Sequence, residues 1–580
     1  MKLNWTVLEK YEEGFGKDWR AVRSPLGEER GYSPLILQLL WNANIKGPEH
    51  AEAFLNPKYE NLGDPFLFPD MQKAIDRIFL SQKNNEKIFI YGDYDADGVP
   101  GAIILDTVFK AYGINPQIYI PHRETEGYGL NKGAIDYIGE QGGKLIITCD
   151  CGISNAEETA YAKEKGIDVI ITDHHTLPKA LPEAYAIIHP EVGDYPFKLL
   201  SGGGVAFKLI QGILKSEHKI ESDEKKEAIE KWLLDLVAIS TVGDVMPLID
   251  ENRILVYYGL KVLNQTKRLG LRKLIEATGN NFGSLDAYSI GFRIAPRINA
   301  AGRLDHANAA VNLLLSEDEE EAMQMAESLN KTNSERQRLT DIIVNEAKFQ
   351  IVEDGQEKNY CLVAFKEGWR LGLLGLAAGK ISQEFNRPVI LLTEINGEIK
   401  GSVRGIDSFN VIKALQKIGE LLGKFGGHPA AAGLTLKNKD LLPEFKEKME
   451  ELAKADLQDK ELLSFIDVNE VEIDDLNLDL AKEITKFAPF GNQNPRPIFC
   501  SQGVEICGAD TIGNGEKHLR LTVKGCGIQK YKMIGFCFGQ FCEALPKIGE
   551  KYDIVYEIGV NEWNGREELQ LKIIDMERVE

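Results

Sequence analysis

Cysteine is scarce in this 580-residue chain: eight residues run from Cys149 to Cys542, none of them in a Cys-x-x-Cys pair. That excludes a disulfide-stapled secreted scaffold and a zinc ribbon, and fits reduced thiols in a cytosolic protein. Long apolar runs are missing as well. No stretch approaches the ~18 uncharged apolar residues of a membrane span, and the opening MKLNWTVLEK lacks the apolar centre of a signal peptide. A cytoplasmic protein with no membrane partner is therefore expected. Basic residues are outnumbered 68 to 89, for a formal charge of −21. A polyanion cannot be met by such a surface as a whole and must find a local basic groove. One candidate is GFRIAPRINAAGR (291–303), with three arginines and no acid, which also reads as a solvated charged loop.

What is present is the material for several cores. The length suits about three or four domains, with no internal repeats or low-complexity tracts. From residue 87 to about 250, short β-branched runs alternate with helical segments: KIFIYG leads into GAIILDTVFKAYG, KLIITCD into AEETAYAKEKG, and DVIITDHH is followed by YAIIHP. Continuous apolar runs joined by crossover helices predict a parallel α/β sheet. A helical stretch, EKWLLDLVAISTVGDVMPL, closes this part. The charged amphipathic pattern from about 305 to 350 predicts one long helix between lobes. Residues 358 to about 455 repeat the alternation as a smaller α/β unit, followed by an acidic helical link at 443–463. The remainder is strand-rich, with a hairpin signal at NEWNG (561–565). About five strands there suit a small barrel of the oligonucleotide-binding type, or another small barrel or sandwich.

The unusual residues gather at the expected ligand edge of the first sheet, beyond the carboxyl ends of its strands. YGDYDADG places Asp93, Asp95 and Asp97 within five residues after a strand. Crowded carboxylates repel unless a cation or proton compensates them. A calcium loop of the EF-hand type needs a preceding helix and a glutamate at its twelfth position; here a strand precedes and Ile104 stands there. A glycine-rich turn with incidental acids accounts for one cluster but not for its recurrence. ITCDCGIS places Asp150 after the next strand, ITDHH places Asp173, His174 and His175 after another, and STVGDVMPL supplies Asp244. Carboxylates with one or two imidazoles suit Mg²⁺ or Mn²⁺. Their number suits two ions sharing a carboxylate, the arrangement that serves phosphoryl displacement.

In this order DYDADG, DCGIS, DHH and GDVMPL resemble the four motifs of the DHH phosphoesterases. RIAPRINAAGRLD, GWRLGLLGLAAGKI, GSVRG, KFGGHPAAAG and FAPFGNQNPRPIF are similar to the RecJ branch of that family, exonucleases that degrade single-stranded DNA from its 5′ end. The resemblance runs from about residue 60 to the C-terminus. It implies an N-terminal extension (1–60), a parallel-sheet DHH catalytic lobe (61–305), a connecting helix (306–352), a smaller α/β lobe that binds substrate (353–455), and an oligonucleotide-binding barrel (456–580). It implies two divalent ions, Mn²⁺ or Mg²⁺, on Asp95, Asp97, Asp150, His174 and Asp244, with Asp150 the bridge and Asp93 a ligand or an orienter of one. His175 is implied as the acid for the leaving oxygen or as an outer partner of the metal site. Ser402, Arg404, His428 and Arg303 are implied to grip phosphate, joined by Arg123, with Tyr128 a ring against a base.

Three positions depart from the family pattern. Pro100 stands where a small hydroxyl residue is usual, Arg370 replaces a histidine, and Gln493 replaces a glycine in the barrel linker. The expected reaction is processive release of 5′-mononucleotides from single-stranded DNA carrying a 5′-phosphate, in repair and recombination. A monomer working beside a helicase and a single-strand-binding protein is expected. The alternatives are a DHH hydrolase of RNA or small oligonucleotides, and a strand-binding scaffold without catalysis.

Overall fold

The computed structural model describes residues 4–12, 14–16, 19, 32–123, 125–218, 222–304, 306–460, 462, 465–513, 515–538, 545–563 and 565–579. Cys542, Asp305 of the GRLD run and Asn564 of the predicted hairpin turn lie outside them. The chain opens with a short strand, Asn4–Val7 (β1), whose partner lies more than 450 residues away.

Strands Lys87–Gly92 (β2), Gln117–Tyr119 (β3), Gly143–Cys149 (β4), Asp168–Thr172 (β5) and Ala186–Ile188 (β6) form the predicted parallel sheet, in the order β3-β2-β4-β5-β6. Their runs are apolar without alternation because both faces are covered. Ile88, Ile90, Leu145 and Ile147 enter one core, and Phe89, Ile146, Val169 and Ile171 enter the other. Since β2, β4 and β5 are neighbours and parallel, the residue after each one, Asp93, Asp150 and Asp173, emerges at the same edge. The ladder carries on into them: Asp93 N–H donates to the Cys149 carbonyl and Asp150 N–H to that of Thr172. The arginine-rich segment 291–303 is helical rather than a loop, with one π-wound turn at Ile290–Ile294 and an α-helix at Ala295–Leu304.

The connecting helix is shorter than 306–352. Asn308–Leu315 is a separate helix packed into the catalytic core, and the chain breaks at Ser316–Asp318 before the long helix Glu319–Glu353 begins. Asp318 caps that helix on the Glu321 N–H (2.9 Å), and three glutamates fill its first turn. The long helix buries Ala322, Ala326 and Leu329 in the catalytic core and Ile343, Ala347 and Ile351 in the next lobe. One rod thus belongs to two cores.

The second lobe is a mixed sheet of Leu362–Phe365 (β7), Val389–Ile395 (β8), Glu398–Arg404 (β9), Leu422–His428 (β10) and Ala431–Leu436 (β11), ordered β10-β11-β9-β8-β7. The segment expected as an acidic helical link is helical, at Leu442–Leu457, but it belongs to this lobe rather than linking it to the next. It buries Phe445, Met449, Ala453 and Leu457, four residues apart along one stripe, in this lobe's core.

Phe465–Glu470 (β12) precedes the barrel strands Ile498–Ile512 (β13), His518–Lys524 (β14), Tyr531–Gly535 (β15), Lys551–Trp563 (β16) and Arg566–Arg578 (β17). The circuit β13-β14-β15-β17-β16 closes through β13–β16 pairing, which leaves this five-strand sheet without a free edge. The described N-terminal strand and residues 34–55 are part of this lobe and not an extension. β1 pairs with β12, and Ile36, Leu39, Leu40, Phe54 and Leu55 share a core with Phe499, Tyr556 and Ile554 of the barrel.

Candidate metal centre

Two of the carboxylates at the sheet edge, Asp95 and Asp97, are fixed by hydrogen bonds from the protein itself. Asp95 Oδ1 accepts from the backbone N–H of Asp97 (2.8 Å) and Gly98 (3.1 Å), folding the loop into the helix Gly98–Ala111. Asn299 Oδ1 accepts from Ala96 N–H (2.7 Å) and braces the same loop. Asp97 takes the N–H of Gly202 and Gly203, both at 2.7 Å, and the Ser240 hydroxyl at 2.5 Å. A Cβ on Gly202 would stand 2.4 Å from the Asp150 Cβ, so this close approach requires glycine. Pro100 lies in the first turn of its helix, where no intrahelical N–H is lost.

Asp150 leaves β4 at φ +64, a left-handed conformation that turns its carboxylate over the sheet edge. His174 Nε2 lies 3.2 Å from Asp150 Oδ1 and 3.6 Å from both Asp97 Oδ2 and Asp244 Oδ2. Asp150, His174 and His175 form one group of potential ligand atoms within 4.8 Å of one another; Asp97, His174 and Asp244 form a second, and Asp93, Asp95 and Asp150 a third. Asp150 is common to the first and third. All five carboxylates and the imidazole expected as ligands therefore converge.

Electrostatically, the centre is incomplete without a cation. Asp93 Oδ1, Asp150 Oδ1 and His174 Nε2 are buried with no hydrogen-bond partner. Burial, then the neighbouring carboxylates, pushes Asp93 and Asp150 well above the usual range, and takes Asp244 to about 9. Burial also lowers His174, favouring the neutral imidazole that a metal needs. Hard oxygens with one neutral nitrogen fit Mn²⁺ or Mg²⁺.

Asp173 is spent differently. Its carboxylate accepts from the N–H groups of Ile153 (2.9 Å), His174 (2.7 Å) and His175 (3.1 Å), and Oδ1 lies 2.8 Å from His175 Nδ1. Burial works against protonated His175, but the hydrogen bond and charge of Asp173 outweigh it and raise the imidazole above its ordinary value. Tyr128 donates its hydroxyl to the Asp150 carbonyl (3.0 Å) and lies 3.0 Å from His175 Nδ1, with its ring half exposed.

Across from these acids stand arginines from both lobes. Arg123 lies over the Tyr94 ring at 4.8 Å. Arg303 donates to the Gly372 carbonyl (3.0 Å), and Arg404 donates to the Ser402 hydroxyl (3.3 Å) and the Val403 carbonyl (3.0 Å). Burial, then Arg123, Arg336 and Arg404, brings Arg303 down to about 10, and burial followed by Arg123 lowers Arg404. These guanidiniums are thus near enough to repel. Gly375 admits Arg404 and Ser402 beside its helix, since a Cβ there would meet Arg404 Nη2 at 2.7 Å and Ser402 Oγ at 3.0 Å. His428 ends β10; it pairs with Ala431, which pairs with Arg404, so it shares that row across the sheet. Arg370 lies outside this set, at the N-cap of the helix Leu371–Phe385, where its charge adds to the hydrogen bond and charge of Arg338 in lowering Glu335.

Sequence reasoning missed Gly202, Gly203, Ser240 and Asn299. A serine N-cap followed by three glycines at 201–204 was the available signal for the first two. The others are ordinary helix residues whose reach only folding reveals.

Three family domains match in order: the DHH family N-terminal domain over residues 87–241, the DHHA1 domain over 358–455, and the RecJ OB domain over 466–575. The chain is 38% identical to the single-stranded-DNA-specific exonuclease RecJ of Bacillus subtilis, covering 99% of this chain and 71% of that one. It is 30% identical to the protein of the same name from Haemophilus influenzae, over 96% and 98% respectively. Among solved structures, RecJ from Thermus thermophilus in complex with Mn²⁺ superposes with a TM-score of 0.80 at 27% identity, covering 100% of this chain and 80% of that one. Its Mg²⁺ complex gives 0.73 at 26%, covering 100% and 79%. Likeness that spans essentially the whole chain, in domains that share one order, places this protein in the RecJ family.

Proposed function

We propose that this chain is a metal-dependent exonuclease that degrades single-stranded DNA in the 5′-to-3′ direction to 5′-mononucleotides, in DNA repair and recombination. The observation that carries this reading is the pair of opposed, uncompensated charges: buried carboxylates with unpartnered oxygens on one side, and clustered arginines from two lobes on the other.

Asp95, Asp97, Asp150, His174 and Asp244 would hold two Mn²⁺ or Mg²⁺ ions, with Asp150 between them and Asp93 completing or orienting the set. Bound there, the ions would make water nucleophilic and stabilise the charge that develops on the phosphodiester. The side chains do the rest. Arg123, Ser402 and Arg404 receive a terminal 5′-phosphate, since guanidinium forks match phosphate oxygens in pairs. Arg303 and His428 extend that grip, and Tyr128 flanks it. His175, whose protonated form Asp173 favours, delivers its proton to the leaving oxygen. The barrel holds the strand beyond the cleft by stacking and charge.

End-labelled single- and double-stranded DNA and RNA, digested with Mn²⁺ and analysed for product length, test all of this together. The expected result is mononucleotides from 5′-phosphorylated single-stranded DNA and none with chelator. Equal digestion of duplex or of RNA overturns the substrate assignment. No helix among the described residues is long and apolar enough to cross a membrane. We place the enzyme in the cytoplasm as a monomer beside a helicase and a single-strand-binding protein; that one chain supplies acids and arginines alike supports the monomer.

A further inference from the structure

The hairpin leading into the barrel touches the metal centre's frame. Residues 487–494 form a tight turn closed by Gly491–Asn494 pairing (2.9 and 3.1 Å) and by Asn494 Nδ2, which donates to the carbonyls of Phe487 (2.9 Å) and Pro489 (2.8 Å). Its tip lies on the segment immediately after Asp244. Leu248 N–H donates to the Asn492 carbonyl (2.8 Å), and Asn492 Nδ2 donates to the Val245 carbonyl (2.8 Å). Gly491 approaches so closely that a Cβ would stand 2.7 Å from Leu248 Cδ1. Val245 is held at φ +57, a left-handed conformation that a β-branched residue resists; the helix end closes this turn with Val245 N–H on the Val242 carbonyl (3.1 Å) and Met246 N–H on that of Thr241 (3.0 Å), and Asn492 adds a bond from outside. The other end of the contact is locked by Arg253, which is buried and donates to the carbonyls of Phe54 (2.9 Å), Phe487 (2.8 Å) and Lys486 (2.9 Å). Gln493 takes φ +57 where the family pattern has glycine, and so keeps the same turn at a cost in strain.

We infer that Asn492 is a positioning residue for the metal centre: by bracing Val245 it sets where Asp244 stands against His174 and Asp97. The barrel lobe then contributes to metal affinity as well as to strand binding. This rests on the assignment of Asp244 as a metal ligand.

The test uses the full chain stripped of metal, with Mn²⁺ binding followed by calorimetry and the half-saturating Mn²⁺ concentration for hydrolysis measured alongside. Asn492→Asp keeps size but loses the Nδ2 donor, and Asn492→Ala removes the side-chain bond to Val245 without adding charge, the backbone bond from Leu248 staying in place. Each should raise the Mn²⁺ dissociation constant about tenfold, at the low end for loss of an outer partner. Binding of a long single strand in chelator should stay at the wild-type level, and Gln493→Gly should keep wild-type Mn²⁺ affinity. Asp244→Ala separates the two ideas. If Asp244→Ala itself binds Mn²⁺ as tightly as wild type, the ligand assignment fails. If it binds weakly while both Asn492 variants bind Mn²⁺ as wild type, the positioning role is overturned.

Discussion

The two edges of the parallel sheet treat their acids in opposite ways. At the amino edge, Glu86 and Asp168 precede and open strands β2 and β5, and both are answered by one buried arginine. Arg77 donates Nε to Asp168 Oδ2 (2.6 Å) and Nη1 to Glu86 Oε2 (2.7 Å). At the carboxyl edge, Asp93, Asp150 and Asp244 crowd a drier space with no lysine or arginine paired to them among the described residues, and their affinity for protons rises accordingly. A compensated cluster holds the fold together, whereas an uncompensated one stores a demand for a ligand. The difference separates structural from functional carboxylates without reference to any motif.

The comparison breaks most visibly at Asp150. Asp150→Ala should lower turnover about a thousandfold, as loss of a main charge stabiliser does, while leaving the melting temperature of the metal-free protein unchanged or higher. A marked fall in that temperature would mean Asp150 is structural. Arg77→Ala should do the reverse, costing about 1 to 2 kcal/mol of stability as a buried guanidinium and its hydrogen bonds to two part-exposed acids are lost, with specific activity of the folded fraction retained. Denaturant unfolding and initial rates on the same samples decide it.

Arg404→Ala carries the comparison to the facing lobe. It should raise KM about thirtyfold for 5′-phosphorylated strands, the loss expected for charged hydrogen bonds, and far less for 5′-hydroxyl strands. An equal effect on both ends would remove the arginine from the terminal phosphate. Acidity sharpens the contrast with opposite signs. Glu86 is held below its ordinary value, burial being outweighed by Asn84 and Arg77, so its contribution is present at neutral pH and lost as pH falls through the carboxylate range. Asp244 is raised to about 9, so the metal-free fold loses stability as pH climbs towards that value, and Mn²⁺ should restore it. Melting curves at pH 4, 6 and 9, with and without Mn²⁺, read both arms. The smallest effect is expected at Gln493→Gly, which relieves a left-handed backbone and should shift stability by no more than about 1 kcal/mol.

Much of the metal centre was legible because its code is local. An apolar strand followed at once by an acid places that acid at the sheet edge, whatever the rest of the chain does. The barrel strands and the second α/β lobe were legible for the same reason, through run length and turn residues. The helix break at Ser316–Asp318 hides in the sequence because a charged amphipathic pattern continues across it, although the Asp318 cap is there to be read. The acidic helix Leu442–Leu457 resembles a link because its buried stripe is narrow among charges.

From residue order alone came the acids, the imidazoles, the arginines and the strands that carry them, since period and adjacency are properties of neighbours in the chain. Only the tertiary structure decided that Gly202 and Gly203 hold Asp97, that residues 34–55 complete a barrel begun at residue 498, and that Asn492 braces the turn beside Asp244. Each of these joins segments roughly 100 to 500 residues apart, and the polar links among them run through backbone groups. Every residue carries such a group, so the pairing leaves no mark in the sequence and is set by which surfaces pack together.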